Sequence, residues 1–130
     1  MGRTAMAERR RFDAKTLDAL TRGRILGIRA GREHRFIGIW MVVVERRLFV
    51  RSWDRSAGGW HDAFGEDERG AIKVGEREIP VRAVRTRSER LKAAVDRAYA
   101  AKYDSKASLK YVRGFRIPSR RNTTSELVPR

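Results

Sequence analysis

The stretch IGIWMVVVERRLFVRSW, residues 37–53, decides what kind of fold this chain adopts. Within the strand predicted over residues 34–45, side chains are apolar at odd and even positions alike, which is typical of a strand buried on both faces. We therefore expect this strand to be central in its sheet. A charged turn at residues 45–47 leads directly into a second extended segment that ends at Trp53. Two strands joined by so short a turn predict an antiparallel pair.

The flanking residues extend this pattern over the rest of the chain. We predict a short helix over 12–20, a first strand over 23–31, a hairpin over 70–86 around Gly75, a long amphipathic helix over 86–103 and a last strand over 123–128. The fold class is therefore α+β and mainly β. We expect a six-stranded antiparallel split β-barrel with a short N-terminal helix and one long helix in the C-terminal half. Residues 1–11 form a basic extension, and residues 12–130 form a single domain.

The composition excludes several classes of function. The chain has 130 residues, no cysteine and two histidines, His34 and His61, so disulfides, thiolate nucleophiles and a metal site are not expected. The sequence contains no nucleophile elbow, phosphate-binding loop or dinucleotide fingerprint. No catalytic side chain can be named, and an enzyme of this sequence would depend on an organic cofactor. The chain also lacks a long apolar run and a secretory signal, so we expect a cytoplasmic protein without a membrane partner.

The net charge of +15 is concentrated at the two ends of the chain. Residues 1–35 and 102–130 together carry twelve of these charges. Such ends predict weak, salt-sensitive and non-specific attraction to nucleic acid. A dedicated nucleic-acid-binding module also needs exposed aromatic side chains among the basic ones, for which Tyr103, Tyr111 and Phe115 are the candidates.

The candidate ligand site lies where the strand in residues 47–53 ends. Arg51 and Ser52 offer a guanidinium and a hydroxyl group for a phosphate, and Trp53 and Trp60 offer flat apolar walls for a ring. These groups predict a phosphate-bearing, planar small molecule as the ligand. The alternative interpretation is structural: Arg51 is a solvated strand residue, Ser52 fills a small gap and Trp60 closes the end of the barrel.

From about Phe12 onward, the chain resembles the bacterial family called domain of unknown function 2255. The segments that carry this resemblance are FDAKTLDAL, IGIWMVVVERRLFVRSW, GGWHDAF, REIPVRAV, AVDRAYAAKY and TTSELVP. That family is in turn similar to split-barrel proteins that bind FMN or a deazaflavin coenzyme. The resemblance implies a homodimer with its ligand cleft near the shared interface, and it implies Arg51, Ser52 and Trp60 as cofactor contacts.

Three functions remain open on these grounds. The first is a flavin- or deazaflavin-binding oxidoreductase that passes hydride to a small acceptor. The second is a cofactor-free interaction protein of the same fold. The third, a basic nucleic-acid-binding module, has the least support, because net charge alone gives no specificity.

Overall fold

The computed structural model describes residues 11–53 and 59–130. The predicted basic extension lies outside these residues except for Arg11, as does part of the loop between Trp53 and Trp60. The described elements, in chain order, are α1 (Ala14–Arg22), β1 (Leu26–Ala30), β2 (Ile37–Ile39), β3 (Val42–Val44), β4 (Arg47–Val50), α2 (Trp60–Glu66), β5 (Arg69–Val74), β6 (Arg77–Arg85), α3 (Glu89–Lys102), a 3₁₀ turn (Lys106–Ser108), α4 (Leu109–Gly114), α5 (Pro118–Arg121) and β7 (Ser125–Pro129). No helix in this part of the chain combines the length and apolarity needed to cross a bilayer.

The seven strands form one curled antiparallel sheet. Their order is β2-β1-β5-β6-β7-β4-β3, and every neighbouring pair is antiparallel. The two edge strands, β2 and β3, are separated in the chain only by Trp40 and Met41. Three Cα–Cα steps span at most about 11 Å, so the sheet has to curl until its edges approach each other. The result is a half-barrel, which confirms the predicted mainly β, α+β class.

The prediction of six strands with a central strand over 34–45 is wrong in two respects. The segment divides at Met41 into two strands, and both of them lie at edges of the sheet. The backbone N–H of Met41 donates to Tyr103 Oη (3.1 Å), and its carbonyl oxygen accepts from Lys102 Nζ (3.1 Å). Side chains from the end of α3 thus satisfy backbone groups that a continuous strand would pair in the sheet.

Two groups of buried side chains hold the half-barrel together. The first fills the concave side of the sheet beneath α1 and contains Leu17, Leu20, Leu26, Ile28, Leu48, Val50, Ile72, Val81 and Leu127. The second joins β3 and β4 to α3 and α4 and contains Val42, Phe49, Leu91, Val95, Tyr99, Tyr103, Val112 and Phe115. Asp13 caps α1 through Oδ1, and Ser88 caps α3 through Oγ. This packing places Tyr111 of α4, and Phe115 directly after it, beside the sheet edge.

Lys102 should make a contribution to the stability of the fold that grows from about pH 8 to about pH 10.5. Burial, assisted by the charge of Arg24, lowers the pKa of Lys102 from 10.5 to about 8. At this group the unfolded chain then holds more protons than the folded protein within that window, so its contribution to the free energy of unfolding rises with pH there. Urea denaturation at several pH values should show the natural protein gaining stability relative to a Lys102→Met variant across this window, since the opposite contribution of the buried Tyr99 and Tyr103 near pH 10 is common to both proteins. An equal pH dependence of the free energy of unfolding in the two proteins would contradict the lowered pKa of Lys102.

Candidate functional site

An apolar cleft of about 430 Å³ lies beside the edge strand β2. Its walls come from β2, the end of β4, the start of α2, and α4 with the residue that follows it. The described lining residues are Ile37, Gly38, Ile39, Trp40, Arg51, Trp53, Trp60, Tyr111 and Phe115. All three tryptophans of the chain are among them. Arg51 is the one charged residue in this set.

Trp53 is held at the mouth of the cleft by Arg120 and Gly114. The guanidinium carbon of Arg120 lies 3.7 Å from the indole centroid, and Arg120 Nε donates to the Trp53 carbonyl oxygen (3.0 Å). A Cβ on Gly114 would lie 2.3 Å from the indole ring, so this glycine leaves the space that the ring occupies. The ring of Tyr111 meets the same indole edge-on at 5.2 Å. Trp53 is nevertheless 37% exposed and is available to a ligand.

Trp40 forms a second wall, which is supported from behind by α3. Its ring stacks on Tyr103 with a centroid separation of 4.0 Å and an interplanar angle of 4°. Phe115, at 6.1 Å from Trp40 and 4.9 Å from Tyr99, continues this aromatic layer into the core. Packed rings in this arrangement keep the wall rigid.

Trp60 is the first residue of α2 and contributes a third wall. Phe64, one helical turn later, meets the Trp60 ring edge-on at 6.1 Å. Phe64 also lies directly over Gly70 of β5, where a Cβ would be 2.7 Å from the Phe64 ring. The position of Trp60 therefore depends on how closely α2 packs against β5.

Arg51 reaches the cleft from a buried position. Its side chain is fully buried, so the interpretation of Arg51 as a solvated strand residue is wrong. Nε donates to Thr124 Oγ1 (2.7 Å) and Nη2 to the Lys92 carbonyl oxygen (2.9 Å). Nη1 donates to Asp96 Oδ1 (2.6 Å) and to the Phe115 carbonyl oxygen (3.2 Å). Four of the five N–H groups thus have protein acceptors.

Arg51 belongs to a network of ion pairs behind the cleft. Burial lowers the pKa of the Arg51 guanidinium, while its hydrogen bond with Asp96 and the Asp96 charge act in the opposite direction. Asp96 is shared, because its Oδ2 also accepts from Arg121 Nε (3.0 Å). Arg121 Nη1 also donates to Glu89 Oε1 (2.8 Å), so two guanidinium groups are paired with two carboxylates behind the cleft.

The structure separates Ser52 from the other predicted site residues. Arg51, Trp53 and Trp60 line the cleft, whereas Ser52 is buried outside the lining set. The backbone N–H of Ser52 donates to Thr123 Oγ1 (2.8 Å), which ties the end of β4 to the residues before β7. Phosphate binding by Arg51 and Ser52 stays a prediction.

Local sequence patterns do not mark four residues of this site as ligand contacts. Trp40 lies in the apolar run that predicts a continuous strand, and Arg120 has no distinguishing signal in the basic tail. Tyr111 and Phe115 are predicted only as contacts for nucleic acid, although their spacing of four residues is typical of one helix face. Phe115 is buried, while Tyr111 is 40% exposed at the cleft. Within the described residues, no three His, Asp or Glu side chains are grouped as metal ligands.

Comparison with known proteins identifies a family and a fold. The family model described as "Uncharacterized protein conserved in bacteria (DUF2255)" matches residues 17–127. No curated protein matches the sequence. Among solved structures, the fold is similar to the conserved hypothetical protein Rv2991 from Mycobacterium tuberculosis, with a TM-score of 0.57 and 12% identity over 94% of this chain and 81% of that chain. At this identity the likeness concerns the fold alone.

Proposed function

Because this chain belongs to the bacterial family DUF2255, whose description assigns no activity, we propose its function from the cleft itself. The protein binds a flat aromatic cofactor of the flavin or deazaflavin class and acts as an oxidoreductase on a small acceptor. The main support for this proposal is that five aromatic residues line one cleft. They are Trp40, Trp53, Trp60, Tyr111 and Phe115. These side chains come from four separate parts of the chain.

The dimensions and lining of the cleft suit a planar ring. Its volume of about 430 Å³ lies within the common range for small-molecule and cofactor sites, about 300–1,000 Å³. Aromatic walls bind a flat ring by stacking and lose little conformational entropy, because Trp40 and Trp53 are already held in place by Tyr103 and Arg120.

The electrostatics of the cleft favour a ring whose reduced form carries negative charge. When bound, a reduced flavin or deazaflavin supplies a hydride to an acceptor, and the acceptor takes its further proton from solvent. The guanidinium groups of Arg51 and Arg120, one lining the cleft and the other stacked on its wall, stabilise negative charge on the ring. The role of the chain is thus to bind and orient the ring, and no side chain is assigned to proton transfer.

A fluorescence titration tests this proposal directly. Since all three tryptophans line the cleft, intrinsic fluorescence reports on this site. We expect FMN or the deazaflavin coenzyme to quench it saturably, with a dissociation constant on the order of 10 μM or lower. No saturable change with either ligand at high micromolar concentration would contradict the proposal and favour the cofactor-free interaction protein.

A variant locates the binding in the cleft. Trp53→Leu should weaken binding about tenfold, the loss expected for one stacking partner, as followed by the fluorescence of the flavin itself. Leu109→Ala is the matched control, because Leu109 is also an exposed apolar residue but lies outside the cleft lining. Equal losses in the two variants would mean that the ligand binds elsewhere.

The homodimer stays a prediction, which light scattering on the purified protein checks.

A further inference from the structure

A second cleft of about 430 Å³ lies on the outer face of the sheet, where β1, β5 and β6 run side by side. Unlike the aromatic cleft it is lined mainly by charged side chains, and the two clefts have no described lining residue in common. Four arginines and two carboxylates contribute to it: Arg29, Arg32, Arg69, Arg130, Asp67 and Glu78. We refer to it as the outer cleft.

The strand register places the side chain of Arg29 in the outer cleft. Its neighbours in β1, Ile28 and Ala30, belong to the core, so the side chain of Arg29 extends from the opposite face of the sheet. Arg29 pairs with Ala71 of β5, which in turn pairs with Pro80 of β6. Directly paired residues share one face of a sheet, so these three side chains form one row across the cleft.

The guanidinium group of Arg29 has no hydrogen-bond acceptor there. Its Nε is the one buried side-chain nitrogen or oxygen within residues 11–53 and 59–130 that has no hydrogen-bond partner. Its Nη2 lies 3.9 Å from Glu78 Oε2, which is longer than a hydrogen bond. The Phe36 ring covers one face of the group, with its centroid 4.6 Å from the guanidinium carbon. Because only 22% of the Arg29 side chain is exposed, this charge gains from a bound anion.

The neighbouring arginines add positive charge around Arg29. Arg69 is held by Asp67, whose Oδ1 lies 3.3 Å from Arg69 Nε, and its side chain is 65% exposed. Arg32 and Arg130 are exposed and line the same cleft. Several guanidinium groups are therefore accessible to one ligand.

The two carboxylates of the lining determine which kind of anion fits. Four guanidinium groups against two carboxylates leave an excess of two positive charges on the side chains, which a ligand with two negative charges balances. A phosphate concentrates its charge on one small group and would place it close to Glu78. A dicarboxylate divides the same charge between two planar groups, and each of them matches the paired N–H donors of a guanidinium.

We propose that the outer cleft binds a small organic dicarboxylate, and that one of its carboxylates pairs with the guanidinium of Arg29. The site is separate from the aromatic cleft, so this inference does not depend on the proposed cofactor.

Calorimetric titration with succinate at low ionic strength tests the proposal. We expect a single site with a dissociation constant of about 1 mM or lower, and an affinity that falls as salt is added. Succinamide, the neutral diamide, should not bind, and inorganic phosphate should bind more weakly than succinate. No saturable heat with succinate would overturn the site, and a phosphate affinity equal to or above that of succinate would overturn the ligand class.

Amide chemical shifts in the same titration locate the ligand. The backbone amides of Gly31 and Ala71, which line the outer cleft, should shift with succinate concentration. The amide of Gly75, in the turn between β5 and β6, lies outside the lining and should not shift. Shifts confined to other parts of the chain would overturn the placement.

Three variants test the role of Arg29. Arg29→Gln should weaken succinate binding at least about tenfold, the loss expected for a charge-assisted pair. Arg77→Gln is the matched control, because Arg77 of β6 carries the same charge but lies outside the outer cleft, with Nη1 3.4 Å from Thr16 Oγ1. Its affinity should change by less than about twofold. Glu78→Gln removes the carboxylate nearest to Arg29 and should tighten binding about threefold.

The signs of these changes distinguish a site from general attraction to a basic protein. Equal losses in Arg29→Gln and Arg77→Gln would overturn the site. The side chain of Glu78 is 53% exposed, so Glu78→Gln provides the test even if Arg29→Gln does not fold. Unchanged or weaker binding in Glu78→Gln would overturn the placement of the carboxylate beside Arg29.

Discussion

Replacing Arg51 with methionine should lower the free energy of unfolding by about 3–5 kcal/mol, the usual cost of breaking a buried ion pair from one side. Methionine fills a similar volume but donates no hydrogen bond. Thr124 Oγ1 and the carbonyl oxygens of Lys92 and Phe115 would lose their donor, and Asp96 would keep only its contact with Arg121. In urea denaturation, the loss should appear as a lower midpoint concentration, with little change in how steeply the free energy of unfolding depends on urea concentration.

Two further variants make this result specific. Arg121→Gln removes a partly exposed partner of the same Asp96 carboxylate, together with its ion pair to Glu89, and should cost about 1 kcal/mol. Arg51→Lys keeps the charge but loses the planar fork, so its free energy of unfolding should fall by about 2 kcal/mol. This variant tests the network also in the case that Arg51→Met does not fold. Losses below about 1 kcal/mol in both Arg51 variants would mean that the buried network contributes little to stability.

Gly70→Ala should lower the free energy of unfolding by about 2–3 kcal/mol, within the range for an overpacked core. The new methyl group would lie 2.3 Å from the Arg29 carbonyl oxygen and 2.7 Å from the Phe64 ring. The first contact forces β1 away from β5, with which it pairs at this point. The second pushes α2 outward, so Trp60 moves and the proposed cofactor affinity should fall as well.

Gly65→Ala is the matched control five residues away. Gly65 lies inside α2, and a Cβ there meets no atom within 4 Å. Alanine should therefore raise the free energy of unfolding by about 0.5–1 kcal/mol, because it restricts the unfolded chain and fits a helix. Thermal denaturation should show a lower midpoint temperature for Gly70→Ala and a higher one for Gly65→Ala than for the natural protein. A Gly70→Ala protein as stable as the natural one would show that α2 can shift without cost.

Local patterns predicted the elements that depend on neighbouring residues. The hairpin around Gly75 is present as β5 and β6, and Gly75 has the positive φ (62°) that such a turn requires. The long helix, the short first helix and the last strand are also present, within a few residues of their predicted bounds. Apolar periodicity carries this information, because it records which face of an element is buried.

Contacts between residues far apart in the chain determine features of the sheet that local sequence patterns do not predict. The segment 37–44 reads as one continuous buried strand, yet Lys102 and Tyr103, some sixty residues later, bind the backbone of Met41 and divide it. A side chain that satisfies a backbone group from so far along the chain leaves no periodic signal. The change from a central strand to two edge strands follows from that contact.

The amino-acid sequence alone determined the kind of fold and the kinds of group available to a site: a mainly β domain, guanidinium groups, and three indoles. Only the tertiary structure decided how these groups are arranged. It brought Trp40, Trp53 and Trp60 to one cleft, and it directed the donors of Arg51 into the protein while leaving Arg29 with an unpaired one. The reason is that hydrogen-bond partners such as Thr124 and Asp96 come from elements that meet only when the sheet curls.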